Sequence, residues 1–310
     1  MLLTLARKLM GLIGMVLVMS LIAFCSVKLI PGDPIMTMLG GTHATQATID
    51  RLRHLYGLDL PLWRQYLHYL NGFFHGDMGL SYFEIGQSVN EIIGSAFLTT
   101  LKLALLAFPF VLFGGIGLGI AAAHNKDRWA DAAVSTLTVL VSSVPQIAIG
   151  SVLILVLGLK LHWLPVAGFD TVSEAVLPVF LTALWPAASL AKLCRACMLE
   201  ELGKGYILTA RAKGLSNLQV LFKHAFPNTL VPLSTSAGLI FGHLLEGSFI
   251  SETLFNLPGL GRVSINAIGQ RDYPVILATV LLATLIYGMM SFIVDIGYAL
   301  FDSRLGVSDE

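Results

Sequence analysis

Charge is what this chain has least of. Only 12% of its 310 residues are Asp, Glu, Lys or Arg, and 19 basic residues offset 19 acidic ones to leave a formal net charge of zero. That balance implies no bulk attraction to nucleic acid. Cysteine is scarce as well, three residues in all, with Cys25 in an apolar run and Cys194 and Cys197 close together. Three such thiols make no disulfide framework, and a lone Cys-x-x-Cys pair on a basic helix end is more often inert than redox-active or metal-binding. Nowhere does Gly-x-x-x-x-Gly-Lys-Ser/Thr occur, so the phosphate-cradling loop of nucleotide hydrolases is missing. Internal repeats of solenoid or propeller length are absent too. Apolar residues, in contrast, make up 55% of the chain, and a mean hydropathy of +0.79 points to an integral membrane protein.

Six apolar stretches, at about 9–27, 97–123, 132–159, 176–193, 229–250 and 275–301, each approach the ~20 residues that cross a bilayer as a helix. The first exceeds a usual signal core, and Phe24 before Cys25 spoils a lipoprotein cleavage site, so it is expected to remain as a span. Arg7 and Lys8 precede it, Lys126 and Arg128 follow the second, and Lys192, Arg195, Lys204, Arg211, Lys213 and Lys223 crowd between the fourth and fifth. The positive-inside rule then places both termini and these loops in the cytoplasm, with Arg53 and Arg262 outside. Three regions result: 1–30, an N-terminal tail and first transmembrane helix; 31–95, an extracytoplasmic segment; and 96–310, a core with five transmembrane helices. Glycines 114, 115, 117 and 119 are expected to permit close helix packing. Lys102 is expected to snorkel toward an interface, and Pro145 to kink the third span.

The most informative stretch lies inside a cytoplasmic segment at 199–228. Tyr206-Ile-Leu-Thr-Ala-Arg-Ala-Lys-Gly-Leu-Ser-Asn-Leu-Gln-Val-Leu-Phe-Lys-His-Ala-Phe-Pro-Asn228 reads as two short helices with a break. Gly214 suits a left-handed helix end, Ser216 with Gln219 has capping-box spacing, and Leu215 with Val220 fits a hydrophobic staple. Leu218, Leu221, Phe222 and Ala225 follow the i, i+3, i+4, i+7 rule, which predicts one apolar face. Pro227 restricts Phe226 and is expected to close the element.

This segment resembles the coupling loop of ABC-importer permeases, in which Glu-Ala-Ala is followed after three residues by Gly and, nine residues on, by Ile-x-Leu-Pro. Ala210, Gly214 and Pro227 match that pattern. Leu208, Thr209 and His224 depart from it, standing where Glu, Ala and Ile occur. Thr209-Ala210-Arg211-Ala212-Lys213-Gly214-Leu215 is similar to the form found in the dipeptide, oligopeptide and nickel branch. Further resemblances are Pro31-Gly-Asp-Pro34, Tyr56 to Trp63, Gly76 to Ser81, Leu161 to Gly168, Glu252 to Arg262 and Gln270 to Pro274. The resemblance implies an all-α, six-span, type I permease-like bundle in the bacterial inner membrane. It further implies a second similar permease, two cytoplasmic ATPases that bind ATP and Mg, and an extracytoplasmic solute-binding protein. No cofactor is expected in this chain itself, and no catalytic residue or metal site. Di- or oligopeptide cargo is expected, with nickel or a metal chelate as the alternative.

Within the fifth span Ser236, His243 and Glu246 are candidates for the translocation pathway, since ionisable groups at membrane depth are costly and by default face a cavity or a neighbouring helix. His243 and Glu246, three apart, are expected to share a helix face, where contact with cargo, a metal or each other are all open. Glu252, Pro258, Gly259, Gly261, Arg262, Arg271 and Asp272 belong to a Gly/Pro-rich extracytoplasmic loop expected to be a shaped plug or docking surface. His43, His54, His68 and His75 with Met36, Met38 and Met78 raise metal binding, but their spacings match no compact ligand motif. A self-sufficient secondary transporter would be expected to show matched halves with broken helices, and none is evident. For a membrane-embedded enzyme, no nucleophile, base and orienting acid form a set.

Overall fold

The computed structural model describes residues 2–29, 32–39, 45–84 and 86–301, and among them every extended regular element is helical. His43, Asp302 and Arg304 lie outside the described residues. The helices are α1 (Leu2–Leu29), α2 (Pro34–Met38), α3 (Gln46–Leu55), α4 (Leu62–His75) and α5 (Val89–Pro109), which passes through a π turn at Phe110–Gly114 into α6 (Gly115–His124). Next come α7 (Trp129–Ser143), α8 (Gln146–Leu153) with a π extension at Ile154–Lys160, and the long α9 (Val172–Leu202). After α10 (Gly205–Ala212) and α11 (Asn217–Gln219), a π turn at Val220–Ala225 leads into α12 (Phe226–Leu245), followed by α13 (Phe249–Leu254), α14 (Leu260–Gln270) and α15 (Tyr273–Phe301).

Four segments are long and apolar enough to cross a membrane: Arg7–Leu29, Val89–His124, Val172–Leu202 and Tyr273–Val294. The third expected span is broken. Trp129–Ser143 and Gln146–Lys160 meet at 100°, because Pro145 lacks the N–H that would continue the ladder and Val144 before it is extended at ψ 130°. The expected fifth span, 229–250, is helical as α12 only to Leu245 and is not among the candidate segments; Ser234, Thr235, Ser236 and His243 dilute its hydropathy.

Two compact units are formed. The first comprises the described residues of 2–100, with 246–249 and 258–288. Its core gathers Ala23, Phe24 and Val27 of α1, Ile93 and Ala96 of α5, Tyr82, Ala267 of α14 and the start of α15. Asp272, 3% exposed, ties this unit together. Its carboxylate accepts from the Ser81 hydroxyl, and the Tyr82 and Phe83 amides donate to it at 3.1 and 3.3 Å. Two stretches that resemble the permease branch, 76–81 and 270–274, thus meet at one carboxylate.

The second unit comprises, among the described residues, 101–245, 250–257 and 289–301 and is organised on α9, against which α6, α7 and α12 pack. A capping box between Thr171 and Glu174 starts α9. Pro178 and Pro186 lie inside it without ending it. The α6–α9 crossing is close: a Cβ at Gly115 would lie 2.9 Å from the Ala187 carbonyl oxygen, and one at Gly119 would lie 2.5 Å from Cys194 Cβ. Gly114 and Gly117 face open space, so two of the four glycines, one helical turn apart, make the contact. Cys194 is fully buried there, which gives it a packing role. The Lys102 ammonium donates to the Phe169 carbonyl at 2.9 Å and lies 4.7 Å from that ring's centroid.

Candidate functional site

Gly214 has φ +82° with nothing within 4 Å of the place a Cβ would take. The turn it makes is a Schellman motif: the Leu215 amide donates to Ala210 O at 3.4 Å and the Gly214 amide to Arg211 O at 2.9 Å. Ser216 then caps the next helix in a two-way box, its amide donating to Gln219 Oε1 at 2.9 Å while the Gln219 amide reaches Ser216 Oγ at 3.4 Å. Between Ala212 and Asn217 the chain therefore reverses its backbone conformation with its helix-end groups bonded.

Two expectations about this elbow fail for one reason. Val220–Ala225 is π-helical, which widens the turn beyond 3.6 residues and shifts the faces that follow it. Val220, Leu221 and Ala225 are buried, while Leu218 and Phe222 are 59% and 54% exposed; the predicted single apolar face is split between interior and surface. The π turn also runs directly into α12, so Pro227 does not close the element. It is the second residue of α12, inside the continuous helical run that the π turn joins to α11.

Leu208, Thr209, Arg211, Ala212 and Lys213 are exposed along α10, with Ile207 and Ala210 facing inward and Leu215 half-buried. Leu208 is 65% exposed. It stands, with Leu218 and Phe222, as an apolar group on an otherwise basic surface. A cavity of about 310 Å³ beside the elbow is lined by His124, Lys126, Arg211 and Asn217.

A clamp that sequence reasoning missed holds the elbow. The Tyr206 hydroxyl donates to Glu201 at the end of α9 and accepts from Asn228 Nδ2 at 2.8 Å, and Asn228 Nδ2 also donates to the His224 carbonyl at 3.0 Å. Lys204 adds an ion pair to Glu201 at 2.5 Å. The acid holds the Lys204 ammonium above its ordinary value, and burial together with Glu201 pushes the Tyr206 phenol up. One phenol thus joins the helix before the elbow, the elbow and the helix after it. A second bond removes a charge counted among the basic cluster: Arg195 Nε and Nη2 grip Asp131 Oδ1 and Oδ2 at 2.6 and 2.8 Å. The partners lie 64 residues apart, beyond any local pattern.

The remaining predicted residues lie on α12, α13 and α14 and the turns that follow them. Ser236 is half-buried and His243 exposed on α12, whereas Glu246 falls one residue beyond the helix, ahead of Gly247 at φ +105°. Glu252 is fully buried on α13. Pro258 is exposed, Gly259 precedes the first turn of α14, and Gly261 is buried against the Phe249 backbone. Arg262 is half-buried, and Arg271 ends α14 in the left-handed region at φ +56°. The expected Gly/Pro-rich loop is thus largely two short helices. Of the histidines, His54 Nδ1 pairs with Asp59 at 2.8 Å and His75 Nδ1 bonds Asn71 O at 2.8 Å. No group of three His, Cys, Asp or Glu suited to a metal occurs among the described residues.

Residues 115–307 match the family described as binding-protein-dependent transport system inner membrane component, and residues 1–109 match its N-terminal companion. The glutathione transport system permease protein GsiC of Escherichia coli O6:H1 is 38% identical over 293 residues, covering 94% of this chain and 95% of its own length. The protein of the same description from Salmonella choleraesuis matches equally, 38% over 293 residues with the same coverage. Among solved structures, the inward-facing MetNI methionine ABC transporter matches with a TM-score of 0.53 at 19% identity, covering 66% of this chain and 96% of that one. That likeness concerns the fold, a type I importer permease bundle.

Proposed function

The chain belongs to the binding-protein-dependent transport system inner membrane component family, and from that premise we propose how it works and what it carries. It is a multi-pass permease subunit of a bacterial ABC importer in the inner membrane. The cargo we propose is a small peptide, glutathione or a di- or oligopeptide, because the relatives sharing 38% of its residues end to end are described as glutathione transport permeases. In this reading the chain forms half of the pathway with a second permease, receives cargo from an extracytoplasmic binding protein, and is driven by two cytoplasmic ATPases that hold the ATP and Mg.

The elbow carries the mechanical part of the proposal. Leu208, Leu218 and Phe222 are exposed apolar groups on a segment whose turn, cap and clamp are all bonded. Such a face suits the helix-in-groove mode of docking. An ATPase seated on it would push α10 and α11, and the continuous run from α11 through the π turn into α12 would carry the displacement into the bundle through packed side chains. His243 and Ser236 on α12 lie where that motion would reach cargo, and His243→Ala is expected to lower uptake more than assembly.

Cargo is tested by co-purifying the partner binding protein and identifying its retained ligand by native mass spectrometry. A peptide is expected; a nickel ion or metal chelate with no peptide would overturn the cargo reading and leave the permease assignment standing. Topology is tested by single-cysteine labelling in a background without Cys25, Cys194 and Cys197. Labelling of position 213 from outside intact cells would overturn the cytoplasmic placement of the elbow.

A further inference from the structure

The first unit contains a cavity of about 610 Å³ that transport does not account for. Its walls combine an apolar floor with a cation and phenols: Phe24 and Lys28 of α1, Tyr56, Tyr69 of α4, and Tyr273 and Leu277 of α15. Lys28 is the last residue but one of the candidate span Arg7–Leu29, and Tyr273 is the first of the candidate span Tyr273–Val294. The cavity therefore lies at the ends of two spans, at the depth where phospholipid headgroups and interfacial tyrosines sit.

Two groups on its lining residues are incompletely satisfied by the protein. The Lys28 ammonium donates to Gln65 Oε1 at 2.6 Å and lies 5.5 and 5.6 Å from the centroids of Phe24 and Tyr273. Its bonded partner is a neutral amide; no carboxylate forms an ion pair with it among the described residues. Rings that face a cation strengthen its hold on its place, but they supply no counter-charge. The second group is the Tyr69 hydroxyl, which is buried without any hydrogen-bond partner, a condition native structures rarely leave unfilled. Burial pushes the Tyr69 phenol up, so it remains an O–H donor. Asp77 also borders the cavity, and its carboxylate already accepts from the Gly79 amide at 2.9 Å.

We propose that this cavity is a binding site for one anionic phospholipid, with the headgroup phosphate on Lys28 and the Tyr69 hydroxyl and the acyl portion along Phe24 and Leu277. The ammonium supplies the charge that a phosphate lacks a partner for, the phenol supplies a donor, and the apolar floor continues toward the span interiors. A zwitterionic lipid carries its own counter-charge and gains less from the lysine. An inorganic phosphate would satisfy the two polar groups and leave the apolar floor empty.

The test uses the permease purified with its partner subunits, delipidated in detergent and titrated with phosphatidylglycerol or phosphatidylcholine under native mass spectrometry. One phosphatidylglycerol per permease chain is expected to persist under conditions that strip phosphatidylcholine. Lys28→Gln should weaken phosphatidylglycerol retention about fivefold, the effect of one interfacial basic residue, and Lys28→Arg should restore most of it. Tyr69→Phe should weaken it about threefold, as expected for one hydrogen bond. Arg7→Gln, at the opposite end of α1, should leave it unchanged. Equal retention of the two lipids by the unmodified protein would overturn the proposal whether or not any variant assembles. Unaltered phosphatidylglycerol retention in Lys28→Gln would overturn it as well. Complete displacement of the lipid by equimolar inorganic phosphate would show a phosphate site and overturn the lipid assignment.

Discussion

Gly119 and Gly214 are both indispensable glycines by geometry, yet they are needed for opposite reasons. Gly119 has ordinary helical backbone and no room: a Cβ there would lie 2.5 Å from Cys194 Cβ and 2.7 Å from the Ala191 carbonyl oxygen. Gly214 has unlimited room and an unusual backbone, φ +82° with nothing within 4 Å. The first glycine lets two helices approach, so its loss falls on packing and assembly. The second lets the chain turn, so its loss falls on the direction in which an exposed surface is presented. In the proposed mechanism both would be needed, a rigid crossing to transmit displacement and an aimed elbow to receive it.

The largest effect is expected at the crossing. Gly119→Val must force α6 away from the backbone of α9, and overpacking of that kind costs ~3 kcal/mol or more when backbone cannot yield. Little folded complex should be recovered from membranes. Gly117→Val on the same helix faces open space and should shift the melting temperature little, with a cost within ~0.5 kcal/mol. Equal recovery of the two variants would show that the crossing is looser than its geometry.

Next in size is the Asp131–Arg195 pair, whose side chains are 6% and 32% exposed. Asp131→Ala strands a guanidinium that water reaches only in part, for ~2 kcal/mol, discounted from the 3–5 expected of a wholly buried pair. Adding Arg195→Met should recover part of that loss, because the uncompensated charge goes with it. A double mutant as unstable as the sum of the singles would mean the two residues act independently.

How far each region was legible in the sequence follows the same division. The elbow's local grammar was readable because its partners are three to five residues apart: Gly214, Ser216 and Gln219 stand in the turn and the box that their spacing predicts. The glycine cluster on α6 was readable as a packing surface, but which two of its four glycines touch α9 required the structure. The apolar face of 218–225 was misread because helical periodicity was assumed at 3.6 residues per turn, and nothing in the composition of Val220–Ala225 announces a π turn. Tyr206 and Asp131 were invisible as organising residues, and Asp272 was singled out without its partners, since those partners lie up to 22, 64 and 191 residues away. The break at Pro145 was anticipated as a kink and is a 100° bend.

At the elbow itself, Gly214→Val is expected to uncouple rather than unfold. A β-branched residue held near φ +82° is strained by ~1–3 kcal/mol, an amount the bundle can carry. Relief comes by rotating the turn, which re-aims Leu218 and Phe222. Reconstituted complexes should contain all subunits and hydrolyse ATP without responding to loaded binding protein, while Gly214→Asn, better tolerated at positive φ, should retain more of the response. Wild-type coupling in the valine variant would mean the direction of the turn does not matter.

The smallest effect, and the sharpest separation of direction from stiffness, is expected from Ser216→Ala. The hydroxyl accepts from the Gln219 amide at 3.4 Å, a long bond, so its loss should cost ~0.5–1 kcal/mol, the lower part of the range for a serine cap. Gly214 keeps its φ, and the Schellman bonds from Leu215 and Gly214 do not involve Ser216. The elbow should therefore point where it did, with the first turn of α11 fraying more often. Amide hydrogen exchange should quicken at residues 218 and 219 and stay unchanged at Ile207 and Ala210, which are buried on α10. Coupling should fall in proportion to the time the turn spends frayed, a partial loss that lower temperature reverses, in contrast to the temperature-independent loss expected of Gly214→Val. If Ser216→Ala uncouples as completely as the valine variant, the elbow transmits force through the stiffness of its cap, and the positive φ at Gly214 serves only to bring the cap into place.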